Sequence, residues 1–479
     1  MVEMLPYEGE ISALDDEKAI FRSSSPIEPV KPLSQEEPVY RLYRQRFVGL
    51  AALVLLNIAA ALSWTWFGPI SNDAAEEFGI SLNDVNWLGN IVACVYLPMA
   101  LLIPSMVSKF GIGRCCQIAA VALIISSWVR YAGTIHTLSG GKAYGLLILG
   151  QVFSAIAQPI YQVIGSKYSE TWFDLKGRTT ATMVVAIANP VGCALGQLFS
   201  PMFSNTRQSI LYLGVVSTAV TPLAFLVLST PPTPPTYAAS KPTGNFASLL
   251  RAIIGKINPS SDSYMSVRSR IDFALVTLIF GILVGATNSF SILTGQIFEP
   301  VGYDATTSGL FGACLLLTGI GAAAITAPLF DRVFTHHLAI TIKVLVPPLS
   351  GAWLSLVWAV KPNNTGGLFA IMTILGITSI TLLPVALELC ADLTKNAEGS
   401  SAILWFMGNL IGIPFLLVQQ ALRAGSDASP PDNMQRALIF NGAFVMTTAG
   451  LVFLIQGRQE RKRLDEEKLK DFVRDVSKS

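Results

Sequence analysis

The side chains that carry out most enzymatic and metal chemistry are scarce in this sequence. It holds three histidines, His136, His336 and His337, and six cysteines, all in apolar segments or at their ends. The cysteines lack the spacing of metal ligands or of a disulfide framework. The sequence also lacks phosphate loops, dinucleotide fingerprints, nucleophile elbows and zinc-protease motifs. We therefore expect no enzymatic activity, no bound metal and no cofactor.

A different chemistry is indicated by a few polar side chains inside long apolar segments. Gln158, Asn189, Asn288 and Asn409 are neutral amides, and Trp64 is an aromatic ring with one N–H donor. A polar group in a membrane-spanning segment is costly, so it needs a partner or a function. These side chains either bind a solute in a central cavity or hold neighbouring helices together. For Asn189, which precedes a proline, a helix contact or a satisfied kink is the favoured interpretation.

Two carboxylates near the end of one apolar segment are a further candidate feature. Glu388 and Asp392 are four residues apart, which places them on one face of a helix. They are expected either to pair with Arg332 or Lys343 as a gate, or to supply a titrating group for proton coupling. Their position at the end of the segment favours the gate.

The composition predicts a membrane protein. Of the 479 residues, 52% are hydrophobic and 13% are charged, whereas a soluble domain usually carries about 25% charged residues. The net charge of +2 and the lack of a basic stripe argue against a nucleic-acid partner. Each apolar segment has about 20 residues or more, enough to cross the hydrocarbon as a helix. The predicted spans are 47–70, 86–108, 115–135, 144–167, 179–203, 208–229, 271–297, 306–330, 337–360, 366–389, 400–423 and 436–457.

The charges of the connections predict the orientation of these spans. Arg41, Arg44 and Arg46 precede the first span, whereas the following loop, 71–84, has four acids and no Lys or Arg. Even-numbered connections continue to carry more Lys and Arg than odd-numbered ones. The positive-inside rule therefore places both termini in the cytoplasm.

A proline-rich stretch divides the chain into two sets of six spans. The connection after the sixth span begins Thr230-Pro-Pro-Thr-Pro-Pro-Thr236, which cannot continue a helix. Apolar residues at helical spacing in 246–257 predict a short surface helix within this connection. The predicted domains are a disordered cytoplasmic tail (1–44), an N-terminal six-helix bundle (45–229), a cytoplasmic linker (230–270), a C-terminal six-helix bundle (271–457) and a cytoplasmic tail (458–479).

The two halves show signs of an internal repeat. Gly192-x-x-x-Gly196 lies in the fifth span and Gly408-x-x-x-Gly412 in the eleventh, which correspond if the halves are copies. Parallel repeats about an axis normal to the membrane mark the major facilitator architecture. We predict an all-α integral membrane fold with twelve transmembrane helices, arranged as six plus six about a pseudo-twofold axis.

Several longer stretches carry a resemblance to a known family. They are LSWTWFGPIS at 62–71, LGQVFSAIAQ at 149–158, SFSILTGQ at 289–296 and LPVALE at 383–388. Through them the chain resembles the major facilitator superfamily and, within it, solute carrier family 49, the feline leukaemia virus subgroup C receptor-related proteins. The likeness covers nearly all of residues 40–457. The chain departs from the superfamily's Asp-Arg signature before the third span, where Ser108-Lys109 stands.

The resemblance implies a transporter of small organic solutes and suggests which residues bind them. In choline-binding members an aromatic cage and two glutamines surround the ligand. The matching motifs place the cage tryptophan on Trp64, one glutamine on Gln158 and the other on Asn409. The cage tyrosine falls on Asn288, which has no ring. Four other residues are candidates to supply that ring: Trp66, Phe290, Trp405 and Phe406.

We therefore expect a monomeric transporter in a lipid bilayer that moves a small-molecule substrate by alternating access. The substrate class is an amine, a vitamin or a haem-like molecule. The alternatives are an efflux carrier for a secondary metabolite or drug, and a non-transporting receptor or scaffold. The plasma membrane is the default location, with a vacuolar or lysosomal membrane as the alternative. Asn363 begins the sequon Asn363-Asn364-Thr365 in a predicted outer loop and is a candidate glycosylation site.

Overall fold

The chain folds as a series of helices joined by short connections. A computed structural model describes residues 41–233, 235, 246–258, 261, 264–332 and 338–457, without the side chains of 166, 175–176, 178–179, 327–332 and 397–398. Most of both predicted tails lies outside these ranges. The helices are α1 (Gln45–Thr65), α2 (Ser71–Phe78), α3 (Leu82–Ala132), α4 (Gly140–Trp172), α5 (Leu175–Phe199), α6 (Thr206–Val220), α7 (Phe246–Ile254), α8 (Val267–Phe298), α9 (Ala305–Arg332), α10 (Leu338–Ala359), α11 (Thr365–Thr394), α12 (Ala397–Ala421) and α13 (Gln435–Leu451).

The helix α3 contains two membrane spans. Among the described residues, eleven helices are long and apolar enough to cross a membrane, and α3 alone has 51 residues. Gly111 interrupts it with φ 77° and ψ 165°, a backbone conformation that only glycine adopts readily. Leu88 and Arg130, near opposite ends of α3, both bond to Gln151, so the segments on either side of Gly111 lie side by side. Counted in this way, the described chain crosses the membrane twelve times, as predicted.

We name the two ends of the helical bundle by the helices that begin or end there. The termini face is the end where α1 begins and α13 ends, and the distal face is the end where α1 and α8 end. The acidic loop at the distal face contains the short helix α2, which the sequence did not predict. The predicted surface helix is present as α7 at the termini face, with Leu249 and Ala252 buried and Ile254 exposed.

The small-residue motifs bring the same pair of helices together in each half. In the N-terminal half (α1–α6), a Cβ atom on Gly192 of α5 would collide with the carbonyl oxygen of Ile58 in α1. In the C-terminal half (α8–α13), Gly408 of α12 lies against Val284 of α8, and Gly412 lies beside Gly285. The absence of side chains allows these backbones to approach closely. The first and fifth spans of each half thus pack alike, as the predicted repeat requires.

A buried carboxylate fixes the end of the last helix to the C-terminal half. Asp272, in the first turns of α8, is 1% exposed. It accepts hydrogen bonds from Arg268 Nη2 at 2.7 Å, from the Gln456 backbone N–H at 3.1 Å and from the Gly457 backbone N–H at 2.9 Å. The segment after α13 is therefore folded back under the bundle, where Ile455 is fully buried.

A buried arginine holds the inner helices of the N-terminal half in register. Arg130 of α3 is completely buried and donates to Gln151 Oε1 and to Ser63 Oγ, both at 3.0 Å. Gln151 of α4 in turn donates to the backbone carbonyls of Ser63 and Leu88. A charge in this position is costly unless such partners satisfy it. Because Ser63 precedes Trp64, the network fixes the part of α1 from which Trp64 projects.

Substitution of Gln151 by leucine is expected to destabilise the fold. Leucine keeps the approximate size but removes the acceptor of Arg130 and the donor to two carbonyls. Loss of a hydrogen bond to a charged group costs roughly 1.5–3 kcal/mol. The apparent melting temperature of the detergent-solubilised protein, followed by size-exclusion chromatography, should fall by several degrees. Gln208→Leu, at an exposed position of α6, is the matched control, and equal melting temperatures in both variants would contradict the network's role.

Candidate functional site

A cavity lies between the two halves of the bundle. It is bounded by α1, α3, α4 and α5 on one side and by α8 to α12 on the other, and it holds about 1150 Å³ of empty space, including the part open to solvent. Among the described residues that line it, none is Asp, Glu, Lys, Arg or His. Its walls are therefore neutral, and recognition there has to come from amides, hydroxyls and aromatic rings.

The four side chains predicted to bind a solute all line this cavity. Trp64 lies at the end of α1 and Gln158 in α4, whereas Asn288 and Asn409 face them from α8 and α12. Asn409 Nδ2 donates to the Trp405 carbonyl one turn earlier, at 2.9 Å. The side chains of Gln158 and Asn288 form no hydrogen bond with another described residue. The structure thus brings together two residues from each half, and the amides of Gln158 and Asn288 are free to contact a solute.

Two further side chains in the wall, Tyr96 and Asn189, have a polar atom without a partner in the described part of the chain. Tyr96 of α3 is 2% exposed, and its hydroxyl has no hydrogen-bond partner among the described residues. Trp64 Nε1 and Asn189 Nδ2 also have no hydrogen-bond partner there. Asn189 lines the cavity and its Oδ1 accepts from Cys193 Sγ at 3.9 Å, so its role as a helix contact or a solute contact stays a prediction. Tyr96 was not among the predicted site residues. Its hydroxyl, in an apolar helix and one turn after Val92, was the available signal.

The four residues that could supply the missing aromatic ring differ in their position relative to the cavity. Trp405 lines the cavity and contacts the Phe280 ring edge to face, with centroids 5.4 Å apart. Trp66 donates to Ser209 Oγ at 2.9 Å, and Phe290 packs against Trp353 in the C-terminal core. Phe406 is half-buried and does not line the cavity. Of the four, only Trp405 lines the cavity.

The two predicted gating carboxylates, Glu388 and Asp392, lie away from this cavity. Glu388 is exposed on the side of α11 that carries Ile374 and Ile377, opposite the cavity-lining Leu383. Asp392 shares that side of the helix but is 5% exposed. The side chain of Arg332 lies outside the described residues, so its pairing with either acid stays a prediction.

The candidate glycosylation site lies at the distal face. Asn363 is exposed in the connection between α10 and α11, with φ 60°. The neighbouring Asn364 uses its Nδ2 to donate to the Ala359 carbonyl at 2.8 Å. The acceptor side chain of Asn363 is thus accessible, and its modification stays a prediction.

On the distal side of the cavity, α5 is hydrogen-bonded to α8 across the two halves. Gln197 Nε2 donates to the Ser291 carbonyl at 2.7 Å, and Thr294 Oγ1 donates to Gln197 Oε1 at 3.2 Å. Gln197 is fully buried, and both the oxygen and the nitrogen of its amide are hydrogen-bonded to the opposite half. This contact begins at Ser291, where the cavity-lining part of α8 ends.

A second group of contacts continues this closure to the end of α8. Asn86 of α3 and Gln296 exchange hydrogen bonds of 3.2 and 2.5 Å between their amides, and Asn72 of α2 donates to Glu299. Beside Asn72, partial burial and the carboxylates of Glu76 and Glu77 raise the pKa of Asp73 above its ordinary value. We call Gln197, Asn86, Gln296 and their partners the distal gate. These contacts could not be predicted from the sequence, because no local pattern shows which amides of the two halves meet.

Comparison with known proteins agrees with the fold and with the resemblance of the sequence. The profile of the Major Facilitator Superfamily matches residues 53–416. Solute carrier family 49 member A3 of Danio rerio is 26% identical over 84% of this chain and 84% of its own length. The choline/ethanolamine transporter FLVCR2 of Homo sapiens is 21% identical over 91% of this chain and 82% of its own length. The nucleoside transporter NupG has the same fold, with a TM-score of 0.62 at 10% identity over 85% of this chain and all of that one. The chain belongs to the major facilitator superfamily, and it is similar to members of solute carrier family 49.

Proposed function

We propose that this protein carries a small organic solute across a membrane by alternating access to the central cavity. The observation that supports this most directly is the position of Trp64, Gln158, Asn288 and Asn409, which line one neutral cavity from both halves. A site shared by two halves changes shape when the halves rock against each other. The same movement can therefore change which side of the membrane reaches the solute.

The distal gate supports a defined step in this cycle. Its hydrogen bonds lie between the cavity and the distal face, and we propose that in this state the solute enters or leaves from the termini face. The other state requires the gate to open and the halves to approach each other at the termini face. By the positive-inside prediction, the termini face is cytoplasmic.

We further infer that the solute carries an amine. The names of curated relatives describe choline and ethanolamine transport, and the cavity offers ring faces without a carboxylate. A quaternary ammonium gains about 2 kcal/mol or more from aromatic faces when it is desolvated. Trp64, Tyr96 and the Phe280–Trp405 pair are placed to supply such faces, and the amide oxygens of Gln158 and Asn409 suit an amine or hydroxyl donor.

Loss of the Trp64 ring is expected to weaken uptake strongly. In proteoliposomes with radiolabelled choline or ethanolamine, Trp64→Ala should raise KM about 30-fold, the equivalent of one desolvated cation–π contact. Trp64→Phe should recover part of the affinity, and Gln158→Ala should raise KM at an unchanged amount of protein. Trp358→Ala, on the lipid-facing side of α10 and 69% exposed, is the control. Unchanged uptake in both cavity variants would remove the proposed site.

Removal of one gate amide is expected to favour the state that is open at the distal face. Gln296→Leu leaves the Asn86 amide unpaired only while the gate is closed, at a cost of about 1–3 kcal/mol. A cysteine introduced at Thr287, in a background without the native cysteines, should then react several-fold faster with a membrane-impermeant maleimide added at the distal face.

The matched control for this experiment is Gln420→Leu. Gln420 is also an amide near the distal end of the C-terminal half, but its Nε2 has no partner among the described residues. Its substitution should leave the labelling rate unchanged. Equal rates in the Gln296 and Gln420 variants would show that the Asn86–Gln296 pair does not hold the gate.

A further inference from the structure

The helix α4 contributes two side chains to the cavity wall, and both are glutamines. Of the described side chains of α4, Gln158 and Gln162 line the cavity and no other does. Gln158 belongs to the predicted site, whereas Gln162 does not. The two residues are four positions apart, which places them on one face of the helix. At 1.5 Å per residue, they are separated by about 6 Å along the helix axis.

Gln162 lies nearer to the termini face than Gln158. The helix α4 ends at that face, where the Tyr168 hydroxyl donates to the backbone carbonyl of Arg46 at the start of α1, at 3.0 Å. The distal gate closes the opposite side of the cavity. A solute that moves between the termini face and Gln158 therefore meets Gln162 on its way.

The side chain of Gln162 is accessible and has no protein partner. It is half-buried, in contrast to Gln158, which is 4% exposed. Its amide forms no hydrogen bond with another described residue. Gln162 thus borders the open part of the cavity, and no core side chain has to move before a solute contacts it.

The C-terminal half adds an aromatic ring in the same direction. Trp405 precedes Asn409 by four residues in α12, which begins at the termini face, where Gly399 lies against Leu249 of α7. Trp405 is therefore also one turn nearer to the termini face. We call Gln158 and Asn409 the inner level of the cavity, and Gln162 and Trp405 the outer level.

The proposed transport cycle changes the surroundings of Gln162. In the present state water reaches its amide, whereas in the other state the halves approach each other at the termini face and water leaves. A buried amide without a partner is costly. The cavity-lining hydroxyls of Thr287 and Ser379 already donate to the carbonyls of Leu283 and Leu375 in their own helices, so they do not donate to Gln162. A hydroxyl group of the solute supplies such a donor.

We propose that Gln162 binds a hydroxyl group of the solute while the amine of the solute lies at the inner level. This inference rests on the proposed function and makes its substrate class narrower, to an amino alcohol with a long spacer. The two-carbon spacer of choline or ethanolamine separates nitrogen from oxygen by at most about 4 Å, which is too short to reach both levels. An extended four-carbon spacer separates them by about 6 Å.

The test compares pairs of amines that differ by one hydroxyl group. Uptake of radiolabelled trimethylammonium compounds by the full-length protein in proteoliposomes is measured with spacers of two and four carbons. Each hydroxyalkyl compound has an alkyl partner of the same length without the hydroxyl. The readout is the ratio of kcat/KM for the hydroxyalkyl compound to kcat/KM for its alkyl partner, which cancels differences in the amount of active protein.

Substitution of Gln162 by leucine should lower this ratio at four carbons by about fivefold, the effect of one neutral hydrogen bond, and should not lower it at two carbons. Gln162→Asn keeps an amide and should retain part of the four-carbon ratio, and it replaces the leucine variant if that variant fails to fold. Gln117→Leu is the matched control, because Gln117 is also half-buried in a spanning helix but does not line the cavity. Its ratios should equal those of the wild type.

The outcomes distinguish this inference from the proposed function. Equal four-carbon ratios in the wild type and in Gln162→Leu, or an equal fall in Gln117→Leu, would overturn the contact between Gln162 and the hydroxyl group. In that case, Trp64-dependent choline uptake would still support the proposed transport. Failure of the wild type to take up any of the ammonium compounds would instead contradict the amine of the proposed function, and the amino alcohol with it.

Discussion

The need of every polar side chain in hydrocarbon for a partner organises this structure. Gln151 and Gln197 have their amides bonded to other residues, and each joins helices that must stay in register or meet across the halves. Gln158 and Asn288 form no such bond in the described part of the chain, and both line the cavity. An unpaired amide away from water costs about 1–3 kcal/mol. The cavity is therefore the place where water or a solute, and not protein, satisfies these groups.

The fold and much of the candidate site could be predicted because their signals are local. Apolar segments of sufficient length identify the helices, and Gly192 and Gly408 mark close helix contacts within a few residues of chain. The family motifs indicated Trp64 and Gln158 as candidates, and both side chains line the cavity. Their role in binding remains a proposal, since position alone does not measure affinity.

What could not be predicted depends on how each helix is rotated against its neighbours. Trp66 and Trp405 are equivalent candidates in the sequence, but Trp66 bonds to Ser209 while Trp405 lines the cavity. Helical spacing placed Glu388 and Asp392 on one side of α11, yet only the packing shows that this side is opposite the cavity. The distal gate is still less visible, because Asn86 and Gln296 are 210 residues apart.

The chemistry of the distal gate suits a closure that must also open. Each neutral hydrogen bond contributes a net of only about 0.5–1.5 kcal/mol, so the amide pairs hold the halves without locking them. Moving an equilibrium from about 1:99 to 99:1 takes roughly 5.5 kcal/mol of differential binding. A solute that binds the two states equally shifts neither, so only contacts that differ between the two states bias the gate.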